Sequence, residues 1–272
     1  ATTKLKKVTP AAPFYLFVPH SAKRLKEFET SAKITDIMRV NSVGIVTSRD
    51  VLVLDFDEQS LRRRIKDFLD PAHSDDDVRA RYLSGTDKLD VRTARDRLRK
   101  VRRLGEAIVR CLYRPFDVRW LMYHEAVVER SRSDIMQHMV IGKNLAMMIG
   151  RAAQVIGPGM WDIVYCARDM TEFNFFRRGG NNLFPLYLYP NGDELIQASP
   201  WPAGKDGRRP NLSTQFVEEL SSRLRLTFVS DGVGDRKKTF GPEDVFHYIY
   251  AVFHSPTYRT RYAEFLKIDF PR

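Results

Sequence analysis

Arginine recurs beside aromatic and turn-forming residues in three places in this sequence. Residues 113–120, Tyr-Arg-Pro-Phe-Asp-Val-Arg-Trp, set Arg114 and Arg119 among Tyr113, Phe116 and Trp120. Residues 129–133, Glu-Arg-Ser-Arg-Ser, make a compact basic loop around Arg130 and Arg132. Residues 175–182, Phe-Phe-Arg-Arg-Gly-Gly-Asn-Asn, bring Arg177 and Arg178 beside Asn181 and Asn182. A guanidinium offers a fork of donors that matches phosphate oxygens and the guanine edge, and an asparagine amide can pair with adenine in the same way. These residue types point to recognition of a nucleic acid. Each motif alone also has a plainer explanation, such as Arg114 pairing with Asp117 inside a turn.

Residues for bond-making chemistry are harder to find. Methyl transfer to an adenine amino group needs a glycine-rich cofactor turn and an Asn/Asp-Pro-Pro-aromatic loop, and the sequence contains no Pro-Pro pair. Nucleotide hydrolysis needs a Gly-x-x-x-x-Gly-Lys-Ser/Thr phosphate loop, and the glycine-bearing stretch 150–159 has no Gly-Lys pair. The histidines His20, His73, His124, His138, His247 and His254 are scattered. His247 and His254 fall on roughly one helix face, where capping or packing accounts for them. His73 with Asp75, Asp76 and Asp77 is a weak Mg²⁺ candidate and a better helix cap. Residues 165–169 lack the lysine that a nuclease acid-x-Lys motif requires. Cys111 falls on the apolar face of an expected helix, so it is no nucleophile candidate.

The composition agrees. A net charge of +11 over 272 residues suits a polyanion, either nucleic acid or an anionic membrane. No apolar run approaches the about 18 residues that span a bilayer. The two cysteines, Cys111 and Cys166, sit far apart in apolar stretches and read as buried thiols in a reducing, cytosolic setting. The abrupt start at Ala1 and end at Arg272 read as a piece of a longer polypeptide.

The elements that must position these residues read as mixed. Strands are expected at 14–18, 43–46 and 51–56, and helices at 21–28 and 58–69, the latter with Leu61, Ile65, Phe68 and Leu69 on one face. The longest helical pattern runs over 91–112. Its apolar face is Leu98, Val101, Leu104, Ile108 and Leu112, and its other face carries Arg92, Arg95, Arg99, Arg102, Arg103 and Arg110. That basic face reads either as solvated and paired with acids or as phosphate-facing. Strands follow at 120–123, 144–149, 163–166, 173–176 and 183–189, with a turn at 179–182 making a hairpin of the last two. Pro185 argues for an edge strand or a bulge. A short helix is expected at 133–139 and a polar loop at 198–210. Helices are expected at 213–224, from Pro242 to about 253, and from Pro256 to about 266. The fold class is α+β, with a strand-rich centre flanked by helices. The chain reads as one target-recognition domain, with a possible subdivision near 105 into 1–105 and a DNA-reading 106–272.

Several segments together resemble the C-terminal specificity region of single-chain Type ISP restriction–modification enzymes. They are 113–120, Arg130-Ser131-Arg132, Asn144-Leu145-Ala146 with Arg151, 182–189, 244–251, and 254–262 followed by 265–272; residues 44–50 resemble the entry to such a domain. The resemblance implies that nuclease, ATPase and adenine-N6 methyltransferase domains precede this region, using Mg²⁺, ATP and S-adenosylmethionine, while the region itself holds no cofactor. It implies double-stranded DNA as the partner but not which residues touch it; the residue types single out Arg114, Arg119, Arg130, Arg132, Arg151, Arg177, Arg178, Asn181 and Asn182 as DNA-binding candidates. Motifs shared by readers of different sites fit scaffold or backbone contacts, which argues against base readout by 113–117. Two other readings stay open, a structural coupler between catalytic domains and a degenerate nuclease built on Asp75–Asp77.

Overall fold

Capping residues start the helices where the apolar spacing places them. Ser21 caps Ala22–Thr30, Asp57 caps Glu58–Leu69, Asp90 caps Val91–Arg99 and Ser213 caps Thr214–Leu224, each side chain accepting a first-turn backbone N–H. Pro242 and Pro256 each occupy a first turn, of Pro242–His254 and Pro256–Arg261. The computed structural model describes residues 7–10, 12, 15, 21–150, 161–176, 180–190 and 201–272. It is an α+β protein in which the chain divides into two compact units. One unit is Ala1–Asn41, Met147–Tyr165 and Leu186–Arg272; the other is Ser42–Ala146 and Cys166–Pro185, so residue 105 falls inside the latter.

The first unit is mainly helical. Trp161 meets Phe253 edge to face at 6.0 Å, and Phe28 stacks on Phe265 at 5.2 Å. The C-terminal segment is tied in where the Ile34 N–H donates to the Pro271 carbonyl at 3.1 Å. His254 serves packing, its Nε2 lying 3.2 Å from the Val164 carbonyl, and burial with the neighbouring Arg259 lowers its pKa.

The second unit is built on a four-stranded sheet ordered Leu54–Asp55, Asp117–Met122, Ile108–Arg114, Met170–Thr171. The first three strands pair antiparallel and the last joins in parallel. Residues 42–46 stitch this unit together. Val43 pairs with Asn182, the Gly44 N–H donates to the Asn181 carbonyl at 3.2 Å, and the Ile45 N–H donates to the Thr171 carbonyl at 2.9 Å. Val46 exchanges two backbone hydrogen bonds with Arg130, at 3.0 and 3.1 Å.

Several sequence expectations change in three dimensions. The pattern over 91–112 is a helix only over Val91–Arg99, then a 3₁₀ turn at Leu104–Ala107 and the strand Ile108–Arg114. The helix closes at its Lys100 cap, and pairing along Asp117–Met122 draws Ile108–Arg114 into the sheet. Cys111 therefore lies buried on a strand, where burial pushes its thiol pKa far up, while Cys166 is exposed. The expected strand at 51–56 is a helical turn, Asp50–Val53, before the short strand Leu54–Asp55, and the consecutive residues Leu52, Val53 and Leu54 are all buried. Residues 173–176 form a turn, because the Glu172 carboxylate takes the Asn174 N–H at 2.6 Å and Phe175 and Phe176 pack edge to face at 5.0 Å. Residues 183–189 divide into Asn181–Pro185 and Tyr187–Leu188, the proline ending the first. The expected strand at 14–18 falls mostly outside the described residues, as does the start of the 198–210 loop. Among the described residues no helix is long and apolar enough to cross a membrane.

A Cβ added at Gly44 would lie 2.6 Å from the Glu172 carbonyl carbon and 2.7 Å from the Phe173 nitrogen. Backbone on both sides cannot yield cheaply, so Gly44→Ala should destabilise the fold by about 1–3 kcal/mol. Urea denaturation followed by tryptophan fluorescence reads this as a lower midpoint, and an unchanged midpoint would show that the passage is looser than described.

Candidate nucleic-acid interface

Phe56 and three side chains of the hairpin formed by Ile108–Arg114 and Asp117–Met122 make a column of four planar groups. The Arg119 guanidinium lies 4.4 Å from the Phe56 ring centroid and 4.2 Å from that of Tyr113, and the Arg114 guanidinium lies 3.9 Å from the Tyr113 centroid. Carboxylates fix both cations. Arg114 Nη1 donates to Glu172 Oε2 at 2.6 Å, while Arg119 donates to both Asp117 oxygens, Nε at 2.9 Å and Nη2 at 2.8 Å. Asp117 thus pairs with Arg119, two residues on and on the same side of its strand, and the Arg114–Asp117 pair expected from the turn gives way to Arg114–Glu172. The Tyr113 hydroxyl donates to Asp50, which also accepts from Thr47. Burial, then the bond to Asp50, pushes the Tyr113 pKa up to about 12. Burial also raises the Glu172 carboxyl above its ordinary value despite Arg114.

The basic loop is held differently. Arg130 is pinned through its backbone to Val46, and the Tyr123 hydroxyl donates to the Ser131 carbonyl at 2.8 Å. Arg132 adopts φ +52° and precedes the short helix Ser133–Met136, its carbonyl accepting from Met136 at 2.9 Å. Both side chains are exposed, and among the described residues neither forms an ion pair. The loop is therefore a fixed backbone presenting two exposed guanidinium groups between Glu129 and Asp134.

Asn181 does different work from that expected of it. It is fully buried and bonded to Thr171 Oγ1 at 3.0 Å, with its amide nitrogen donating to the carbonyls of Glu172 at 3.2 Å and Phe173 at 3.0 Å. Asn182 is half-buried on the strand that pairs with Val43, so neither amide stands at a hairpin tip. Arg151, Arg177 and Arg178 lie outside the described residues. Three of the six arginines on the expected 91–112 face have acid partners, while Arg110 lies over the Trp120 ring and Arg92 and Arg102 form no ion pair among the described residues. Arg95 is buried against Asp75, Arg99 caps the Leu69 carbonyl, Arg97 pairs with Glu125 and Arg103 with Glu106. Asp77 closes a capping box with Ser74, and His73 Nε2 lies 3.0 Å from Asp67. Among the described residues no group of three or more His, Cys, Asp or Glu is placed to hold a metal. Sequence reasoning missed Glu172 and Asp50. The one available signal was an acid at 172 just ahead of Phe173, Phe175 and Phe176.

The chain is thus an α+β protein with a backbone-clipped loop that exposes two arginines. The family model of the Type ISP C-terminal specificity domain matches residues 36–272, and the chain belongs to that family. No curated protein matches it. Among solved structures, it resembles a DrdV–DNA complex with TM-score 0.61 and 22% identity, over 89% of this chain. It also resembles a nuclease-deletion mutant of the Type ISP restriction–modification enzyme LlaGI in complex with a DNA substrate mimic, with TM-score 0.59 and 19% identity over 97% of this chain. A third likeness is to the ATP-dependent Type ISP restriction–modification enzyme LlaBIII bound to DNA, with TM-score 0.58 and 20% identity over 87% of this chain. These are likenesses of fold, and the chain spans 22%, 23% and 14% of the respective lengths of those proteins.

Arg114→Ala would leave Glu172, whose side chain is 4% exposed, without its cation. The expected cost at neutral pH is up to about 3 kcal/mol. A carboxyl that holds its proton more tightly when folded favours the fold at low pH and loses that advantage as pH rises through the folded value. The deficit should therefore shrink as pH falls toward 4.5, the ordinary glutamate value. Denaturation midpoints of parent and variant across that range check this, and a deficit independent of pH would remove Glu172 from the explanation.

Proposed function

We propose that this chain reads the DNA target of a restriction–modification enzyme that methylates adenine N6 and cleaves unmodified DNA. The chemistry comes from methyltransferase, ATPase and nuclease domains elsewhere in a longer cytosolic polypeptide, with S-adenosylmethionine, ATP and Mg²⁺ as their cofactors. The observation that carries this reading is the loop Arg130-Ser131-Arg132, fixed through its backbone, with both arginine side chains exposed and in no ion pair among the described residues. The net charge of +11 and membership of a specificity-domain family support it. Arg114 and Arg119 serve as scaffold with faces partly turned to solvent, in keeping with backbone rather than base contacts. The degenerate-nuclease alternative has little to stand on, since Asp75 and Asp77 are engaged by Arg95 and Ser74.

Fluorescence anisotropy on duplex DNA tests the reading. With six or more phosphates contacted, affinity should fall roughly a thousandfold between about 50 and 200 mM salt. Arg130→Ala and Arg132→Ala should each weaken binding to all duplexes and reduce the salt slope by about 1. Affinity that stays flat with salt, or a slope that neither substitution changes, contradicts it. Incubated with duplex and S-adenosylmethionine, the isolated chain should transfer no methyl group, and methylated product would overturn the assignment of chemistry to other domains.

A further inference from the structure

Phe116 is 93% exposed and sits at φ +64°. It occupies the tip of the turn Arg114-Pro115-Phe116-Asp117, whose outer residues pair across the hairpin. Proline followed by a residue at positive φ is the pattern of a type II turn, in which the second of these positions normally takes glycine or asparagine. A bulky aromatic there is a backbone outlier, and such outliers persist where surrounding structure enforces them and cluster at functional sites. Here the enforcement is visible. The base of the turn is gripped by Glu172 on Arg114, by Asp50 on Tyr113 and by the stack from Phe56 to Arg114. The fold thus accepts strain and exposes a large apolar ring on a stiff support.

We propose that Phe116 is an apolar wedge that enters a base step of the bound duplex. The proposal rests on the DNA-reading function argued above and adds a contact that reads no base edge. Phenylalanine and proline are among the side chains that pry base pairs apart, and here Pro115 and Phe116 stand side by side at one tip. DNA is the occupant favoured by the connection to the cationic loop. Ile45 bridges to Glu172, the residue that grips the turn, and the next residue, Val46, bridges to Arg130. Adjacent residues of one segment thus connect to Glu172, which holds the base of the turn, and to Arg130 of the basic loop. Because Asp117 and Glu172 already neutralise Arg119 and Arg114, the tip contributes to binding without releasing counterions.

Phe116→Gly separates the outcomes, because it removes the ring while relieving the positive φ. Its thermal midpoint should equal or exceed that of the parent. Its duplex affinity should fall by about tenfold, the scale of one lost stacking contact, with the slope of log affinity against log salt unchanged. A mismatch walked along the duplex should tighten the parent's binding at one position, where the cost of unstacking has been removed in advance, and should leave the variant's binding unaltered. A stable variant that binds every duplex as the parent does overturns the wedge and assigns the ring to a protein surface. A fall in salt slope also overturns it, since the ring would then act by placing cations. If the parent itself binds no duplex, the target-reading function fails first, and that result is distinguishable from failure of the wedge alone.

Discussion

The passage of residues 44–46 against Glu172 and Phe173 is the constraint on which the second unit depends. At Gly44 the two backbones are close enough to exclude a Cβ. One residue later, Ile45 takes the Phe173 N–H at 2.7 Å, and one further on Val46 closes its pair of bonds with Arg130. Three stretches distant in sequence are thereby fixed to one strand. Glu172 is also where the backbone connection becomes electrostatic, because its carboxylate holds Arg114 and, through it, the end of the hairpin. Moving this passage would move the basic loop and the aromatic turn together.

The carboxylates sort the arginines into two kinds. Where a carboxylate is in reach and partly shielded from water, as at Glu172, Asp117 and Asp75, the arginine is absorbed into the architecture. Such pairs gain geometry more than net stability, since desolvation offsets much of their attraction. The raised carboxyl of Glu172 shows the balance, with burial outweighing the nearby guanidinium. Arg130 and Arg132 have no such partner among the described residues, and their positions come from backbone hydrogen bonds. Their guanidinium groups therefore remain available to an outside anion.

Much of the local structure was legible in the sequence. The cap at Ser21 and the prolines at 242 and 256 announce their helices, because the signals act within a turn. The family was legible from the ordered set of motifs, and the match over residues 36–272 agrees. What misled was apolar spacing read without tertiary partners. Leu104, Ile108 and Leu112 continue the helical spacing from Leu98, yet sheet pairing claims the last two. The expected hairpin at 173–189 failed for the same kind of reason, since the Asn181–Pro185 strand takes Ser42–Val43 as a partner from far upstream. At the candidate site, the residue types were visible and their compensation was not. Nothing near Arg114 in sequence announces Glu172, and a buried Asn181 looks, in a string of letters, like an exposed one.

Hydrogen exchange with and without duplex DNA most directly tests the claim that the backbone-clipped arginine loop is the DNA-facing surface. On addition of duplex, peptides covering 129–136 should become markedly slower to exchange at low salt and return to the free rate at high salt. Protection confined to the compensated helix Val91–Arg99, with 129–136 unaffected at every salt concentration, would contradict the account.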